Sequence, residues 1–178
     1  MTMSSNAAME GEGITGGDSG ALQVVEFLLG EEYFAIDLFD VKEVVEYMTI
    51  TKLPDTPDFI KGIIDLRGEI TTIVDLKERL RIREDNGQPE EECRIIVLDE
   101  KHTKAKIGIM VDDVLSVSTY DRKLVDTTST SSQVEDSAIL GIIKKKIKQK
   151  EDEKEKEKNE LIIWIDINQL LRDIDQYL

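Results

Sequence analysis

The stretch Gly62–Leu80, GIIDLRGEITTIVDLKERL, decides how this chain folds. Ile63 and Ile64 read as strand, Asp65-Leu66-Arg67-Gly68 as a tight turn, Ile70–Val74 as the returning strand, and Asp75 as the start of a helix over Leu76–Leu80. Asp and Gly suit the ends of a turn, one by bonding nearby backbone N–H groups and the other by tolerating positive φ. The Asp75 carboxylate can accept from the first backbone N–H groups of the helix that follows. Arg67 is thereby held at the tip of a hairpin, and turns presented by a rigid scaffold are where function concentrates. On residue type alone, the ordinary role of such an arginine is one surface ion pair.

Parts of this unit recur. Asp40–Tyr47 (DVKEVVEY) aligns with Asp113–Tyr120 (DVLSVSTY), Gly62-Ile63-Ile64 with Gly141-Ile142-Ile143, and Ile73-Val74-Asp75-Leu76 with Trp164-Ile165-Asp166-Ile167. The order is the same in both halves, and the spacing grows only where polar or charged segments are inserted. Two copies of one small β-unit, each closing on a short capped helix, account for the pattern.

Composition narrows the function classes. The chain has 178 residues, enough for one ordinary domain or two small barrels sharing a core. Aromatics are only 5%, so the core rests on Ile, Val and Leu, which favour strands. A formal net charge of −15 is the opposite of a nucleic-acid footprint. The lone Cys93 excludes an intramolecular disulfide and begins an apolar run, as a small core residue does. His102 is the only histidine and lies in a polar loop, and nothing near it in sequence supports a metal site or a nucleophile–histidine pair built around it. No segment reaches the ~20 apolar residues that span a bilayer, and no signal pattern opens the chain, which points to a soluble intracellular protein.

In chain order, Met1–Gly20 is expected to be a disordered tail. Leu22–Leu29 and Tyr33–Leu38 form a first hairpin, and Val41–Val45 a strand entered through a short turn. Pro54 and Pro57 make Ile50–Pro57 a loop. Residues 21–82 make a first subdomain, 83–92 a linker, and 93–178 a second subdomain that opens with the hairpin Cys93–Leu98 and Lys106–Val111. Thr127–Ser132 is a hydroxyl-rich loop, followed by strands at Leu140–Ile143 and Leu161–Ile167. The Lys/Glu-rich insertion 144–160 between them is a solvated loop, an exposed helix or a long hairpin arm. Gln169–Leu178 reads as a last helix with Leu170, Leu171, Ile174 and Leu178 on one face.

Asp37, Asp75, Asp112 and Asp166 each fall near a strand end, so a metal-assisted hydrolase using these carboxylates is the alternative function. Against it, Asp75 and Asp166 are explained as helix caps, and no Gly-rich phosphate loop or Cys/His cluster is present. The sequence reads as a binding module without catalysis or cofactor.

With these residues in view the chain resembles the CheW family of chemotaxis coupling proteins. The resemblance rests on EFLLGEEYFAIDLFDVKEVVEY (Glu26–Tyr47), LPDTPDFIKGIIDLRGEI (Leu53–Ile70), IVDL (Ile73–Leu76) and GIMVDDVLSV (Gly108–Val117), in that order. It implies a mainly β fold of two SH3-like five-stranded β-barrels on a shared apolar core, with short helices including a C-terminal one. It implies a non-catalytic cytoplasmic adaptor that links the cytoplasmic tips of transmembrane chemoreceptors to the regulatory domain of the histidine kinase CheA, touching the membrane only through receptors. Carried over by position, Arg67 belongs to the receptor-facing turn, and the neighbouring Ile70 is a further partner-binding residue. Val41, Glu43, Val44 and Gly62 belong to the groove side of the first barrel, with Ile95, Val114 and Val117 contributing from the second. Three departures from the family pattern stand out. Asp65 replaces the usual Asn and could pair with Arg67, Thr72 stands where Pro is common, and the Lys/Glu insertion enlarges a hairpin that is normally short.

Overall fold

A computed structural model of the chain describes residues 20–84, 86–101, 103–127, 138–151 and 154–178. The expected tail up to residue 19, His102 and all of the Thr127–Ser132 loop except Thr127 lie outside the described residues. Among the described residues eleven strands form, in the order β1 (Ala21–Leu29), β2 (Glu32–Asp37), β3 (Val41–Glu46), β4 (Ile60–Leu66), β5 (Glu69–Asp75), β6 (Arg94–Leu98), β7 (Ile107–Val111), β8 (Asp113–Asp121), β9 (Val125–Asp126), β10 (Ile139–Glu151) and β11 (Lys154–Ile165). Helix α1 (Leu76–Leu80) follows β5, and α2 (Ile167–Leu170) follows β11. The strands assemble into two sheets, one ordered β3-β6-β7-β5-β4 and the other β8-β1-β2-β11-β10-β9. The second therefore has six strands rather than the expected five, β9 being a two-residue addition.

The same plan underlies both sheets. Each takes an antiparallel hairpin (β6–β7 or β1–β2), a single strand on one flank (β3 or β8) and a second hairpin on the other (β4–β5 or β10–β11). In each, the second strand of the closing hairpin runs parallel to its neighbour, β5 to β7 and β11 to β2. The repeat read from the sequence is present in chain order, but its division at residues 83–92 is not the division in space. Strands β1 and β2 pair with β8 and β11, while β6 and β7 pair with β3 and β5, so the two halves exchange their first hairpins. The exchange follows from side-chain chemistry. β1 is apolar on both faces: Val25, Phe27 and Leu29 lie in one buried cluster, Leu22 and Val24 in another. A strand with two apolar faces needs cover on both sides.

Three clusters hold the molecule together. The largest joins the sheets, with Val25, Phe27, Leu29 and Ile36 from one side and Val74, Ile96, Ile107 and Ile109 from the other, roofed by Leu76, Ile167, Leu170 and Leu171. This is the shared apolar core. The six-stranded barrel has its own filling of Leu22, Val24, Ala35, Ile143, Ile162 and Trp164. The five-stranded one is filled by Ile64, Ile73, Cys93, Ile95, Val97 and Met110. Cys93 is buried, and desolvation pushes its thiol up to about 11, so it packs as an uncharged small residue.

Both helices begin on the predicted caps. Asp75 Oδ1 accepts from Lys77 N at 3.1 Å and Asp166 Oδ1 from Asn168 N at 3.0 Å. The last helix is shorter than expected: α2 stops at Leu170 and a separate 3-10 turn covers Ile174–Tyr177. Leu170, Leu171 and Ile174 are buried as expected, whereas Leu178 is exposed. In its described residues the Lys/Glu insertion takes the hairpin-arm alternative, not the loop or the helix. It extends β10 and β11 as one antiparallel ribbon whose register runs from Ile143↔Ile162 out to Glu151↔Lys154.

Candidate functional site: the clasped turn and the flanking strands

Leu66 pairs with Glu69 across the β4–β5 hairpin, leaving Arg67 and Gly68 as a two-residue loop. Their φ angles of +52° and +85° fit a type I′ turn, whose twist matches the flanking strands. The Asp65 carboxylate accepts from Gly68 N at 2.8 Å and so secures the turn. It serves the backbone, and the expected Asp65–Arg67 pair is not formed. The Arg67 guanidinium instead forks onto Glu43 of β3, Nη1 to Oε1 and Nη2 to Oε2, both at 2.8 Å. This geometry is bidentate and charge-assisted. The hydrogen bonds from Arg67 pull the Glu43 carboxyl below its usual range, and Glu43 in turn raises the guanidinium.

The clasp has a structural meaning, because β3 and β4 are the two edges of the five-stranded sheet. Arg67 ties one edge to the other on the outside. Further along β4, Ile63 and the exposed Thr51, which follows β3 in the chain, exchange backbone hydrogen bonds of 2.9 and 2.8 Å. Gly62 makes that approach possible. Its φ is +147°, and a Cβ there would stand 2.2 Å from the Thr51 carbonyl oxygen. Glu69, Lys106, Glu100 and Lys42 form a further chain of ion pairs beside the turn. The cavity between these side chains and Arg67 is about 50 Å³, well below the hundreds of Å³ of a small-molecule site.

The other residues chosen from sequence separate into surface and interior. Ile70 is 61% exposed beside the turn, and Val44 is 42% exposed on β3. Val117, at the repeat position equivalent to Val44, is 61% exposed on β8. Val41 and Val114, also equivalent by repeat, are half-buried against the shared core. Ile95 is fully buried inside the five-stranded barrel, so it is neither in the second barrel nor on a surface. Outward-pointing Leu115 and the exposed Phe39 were missed. Strict alternation along β8, where Asp113, Leu115, Val117 and Thr119 share the outer face, was the signal for Leu115.

None of the strand-end carboxylates assembles with another into a metal cradle among the described residues. Asp75 and Asp166 cap helices. Asp37 accepts from Trp164 Nε1 at 2.9 Å. Buried Asp112 receives Gly30 N at 2.6 Å and Lys77 Nζ at 3.0 Å, pinning the β1–β2 turn to α1.

The fold and site thus define a class of twinned β-sheet modules on a shared apolar core, with an exposed charged turn clasped across one of them. The chain belongs to the CheW-like domain family, whose model matches residues 23–175. It is 36% identical over 105 residues to the chemotaxis protein CheW of Klebsiella aerogenes, covering 57% of this chain and 61% of that relative, less than two thirds of its length. It is 28% identical to CheW of Thermotoga maritima over 85% of this chain and 89% of that protein. Among solved structures it matches the scaffolding protein TtCheW of Thermoanaerobacter tengcongensis, with a TM-score of 0.66, 34% identity, and coverage of 84% of this chain and 87% of the other.

Proposed function

We propose that this protein is a cytoplasmic chemotaxis adaptor that couples the cytoplasmic tips of transmembrane chemoreceptors to the regulatory domain of the histidine kinase CheA. The observation that carries the reading is the Arg67–Ile70 turn. It presents a guanidinium that is 70% exposed beside an exposed isoleucine, at the tip of a hairpin that the same guanidinium clasps to Glu43. Arginine next to an apolar anchor is the composition of residues that dominate protein interfaces. Val41, Glu43, Val44, Arg67 and Ile70 contribute the receptor-facing surface, and Gly62 and Ile95 support it from within. Val114 and Val117, with Leu115, offer the matching strand of the other barrel to the kinase. No helix among the described residues is long and apolar enough to cross a membrane, which fits contact with it through receptors alone. The hydrolase alternative has no observation in its favour.

The test compares Arg67→Ala with Glu43→Gln, measuring melting temperature, receptor affinity and kinase affinity. Arg67→Ala is expected to weaken receptor binding about tenfold, with the melting temperature nearly unchanged because the pair is exposed. Glu43→Gln weakens the clasp but leaves the guanidinium, and should reduce receptor binding clearly less than Arg67→Ala does. Unchanged receptor affinity in a folded Arg67→Ala protein overturns the assignment. Equal loss of both partners with a lowered melting temperature would make the clasp purely structural.

A further inference from the structure

The ribbon formed by β10 and β11 beyond Ile143 and Ile162 has no place in the adaptor reading. It continues for eight residues on β10, a length of about 26 Å at the usual rise per residue. Residues 144–160 carry eight lysines against six acids, a positive excess on a chain of net charge −15. The excess is arranged. On the outer face Lys148 stands opposite Glu157, but Lys144 stands opposite Leu161 and Lys146 opposite Asn159. Lys144, Lys146 and Lys148 are all exposed. The opposite face is anchored to the barrel, with Lys145 Nζ 3.1 Å from the buried Glu26 carboxylate, so the lysine row has a fixed orientation at its base.

The end of the molecule from which the ribbon leaves is acidic. β11 runs parallel to β2 from Ile162↔Tyr33, so its earlier residues lie beyond the β1–β2 turn with Glu31 and Glu32. Asp113 opens β8 at that same end, paired with Leu28. It lines a polar cleft of about 480 Å³ with Glu46, Glu91 and Glu92, in which Arg94 is the one basic side chain. A positive ribbon and a negative cleft on one end cannot both be satisfied by a single copy whose ribbon points away. Two copies facing each other across a two-fold axis satisfy both, because such an interface is self-complementary.

We propose that the ribbon is a dimerisation arm: two copies of this chain pair end to end, each laying its Lys144–Lys148 face on the Glu91–Glu92–Asp113 cleft of the other. Each arm offers only about 250 Å² per face, so the two reciprocal contacts together bury on the order of 1,000 Å², the lower limit of specific association. The dimer is therefore weak and reversible. Arg67 sits at the opposite end of β5 from Asp75 and α1, and α1 is the element that reaches Asp112 through Lys77. The turn proposed to meet receptors is left uncovered, and this inference stands independently of that reading.

The experiment is analytical ultracentrifugation of the full chain over a wide concentration range, with three charge-reversal proteins checked for folding by circular dichroism. The first carries Lys144→Glu, Lys146→Glu and Lys148→Glu; the second carries Glu91→Lys, Glu92→Lys and Asp113→Lys; the third carries both sets. The wild type is expected to show a concentration-dependent dimer. Each single set should weaken it at least tenfold, since acid then faces acid or lysine faces lysine. Mixing the first protein with the second should restore a heterodimer, and the third protein should dimerise by itself. A wild type that stays monomeric throughout overturns the proposal. So does a dimer indifferent to both sets, which would place association on the barrels, and so does a monomer whose lysine face binds anionic vesicles instead.

Discussion

The two barrels share one plan and close it with opposite chemistry. The five-stranded barrel is filled with hydrocarbon, and its charges sit outside, where Arg67 clasps Glu43 across the seam. The six-stranded barrel places a carboxylate inside. Glu26 is 2% exposed on β1, hydrogen-bonded by Tyr120, by Ser116 Oγ at 2.9 Å and by Lys145 Nζ at 3.1 Å. Burial pushes the Glu26 carboxyl up, but these three donors outweigh it and hold it below the usual carboxylate range. The same donors are why the ribbon has a fixed base, since Lys145 lies on β10. An exposed clasp can open toward a partner at little cost, whereas a buried one cannot. The difference leaves an exposed, openable clasp on the five-stranded barrel and a buried anchor for the ribbon in the six-stranded one.

The sharpest way to break the comparison is at the paired glycines. Gly62 and Gly141 hold equivalent repeat positions, each beside a register shift in its hairpin. Gly62→Ala must relieve a 2.2 Å approach to backbone at a φ that side chains avoid, and should cost about 3 kcal/mol or more on chemical denaturation. Gly141→Ala meets a Val125 methyl at 2.9 Å and the Asp126 carbonyl oxygen at 3.0 Å, without a positive φ, and should cost about 1 kcal/mol. Equal costs would mean that the two seams close alike.

Glu26→Gln comes next. It keeps one acceptor oxygen, for Tyr120 or for Ser116 but not for both, and removes the charge that Lys145 meets, and should cost about 2 kcal/mol at neutral pH. The pH dependence has a defined sign. The unfolded Glu26 binds its proton at the ordinary carboxylate value and the folded one only lower, so its stabilisation is complete above the ordinary value. That stabilisation is lost as pH falls toward the depressed one. Urea titrations between neutral and acidic pH should show this loss in the wild type and a flatter profile in Glu26→Gln. Parallel profiles would show that Glu26 is not held ionised.

The caps should behave as a pair. Asp75→Asn and Asp166→Asn are each expected to cost well under 1 kcal/mol and the Ala variants about 1 kcal/mol, because Asn caps nearly as well as Asp and Ala does not. Loss of signalling in the Asn variants with stability intact would give these carboxylates a second role. Smallest of all is the effect of the arm. Replacing residues 146–159 with a short Gly-containing turn, with Lys145 and Glu160 retained, should leave stability within about 0.5 kcal/mol, because loop length enters only through closure entropy. A larger loss would mean that the ribbon braces the barrel beyond its base.

What the sequence determined by itself is what neighbours along the chain determine. The hairpin at Arg67, the caps at Asp75 and Asp166, the two-fold order of elements and the apolar runs of β1 and β7 all depend on contacts within a few residues, and periodicity and turn chemistry report these directly. Only the tertiary structure decided which strands share a sheet. The alternation of β3 and β8 fits either barrel, and the hairpins exchange because β1 and β2 must be covered on both faces. The same distinction separates Arg67 from its partner. A turn arginine is visible in the sequence, but Glu43 lies 24 residues earlier and reaches it only once the sheet has curled its two edges together. Glu26 shows it most plainly: in sequence it is one more acid on an acidic chain, and only the fold brings Tyr120, Ser116 and Lys145 around it. Pairings over such separations are fixed by burial and by the closing of the barrels, which no local pattern encodes.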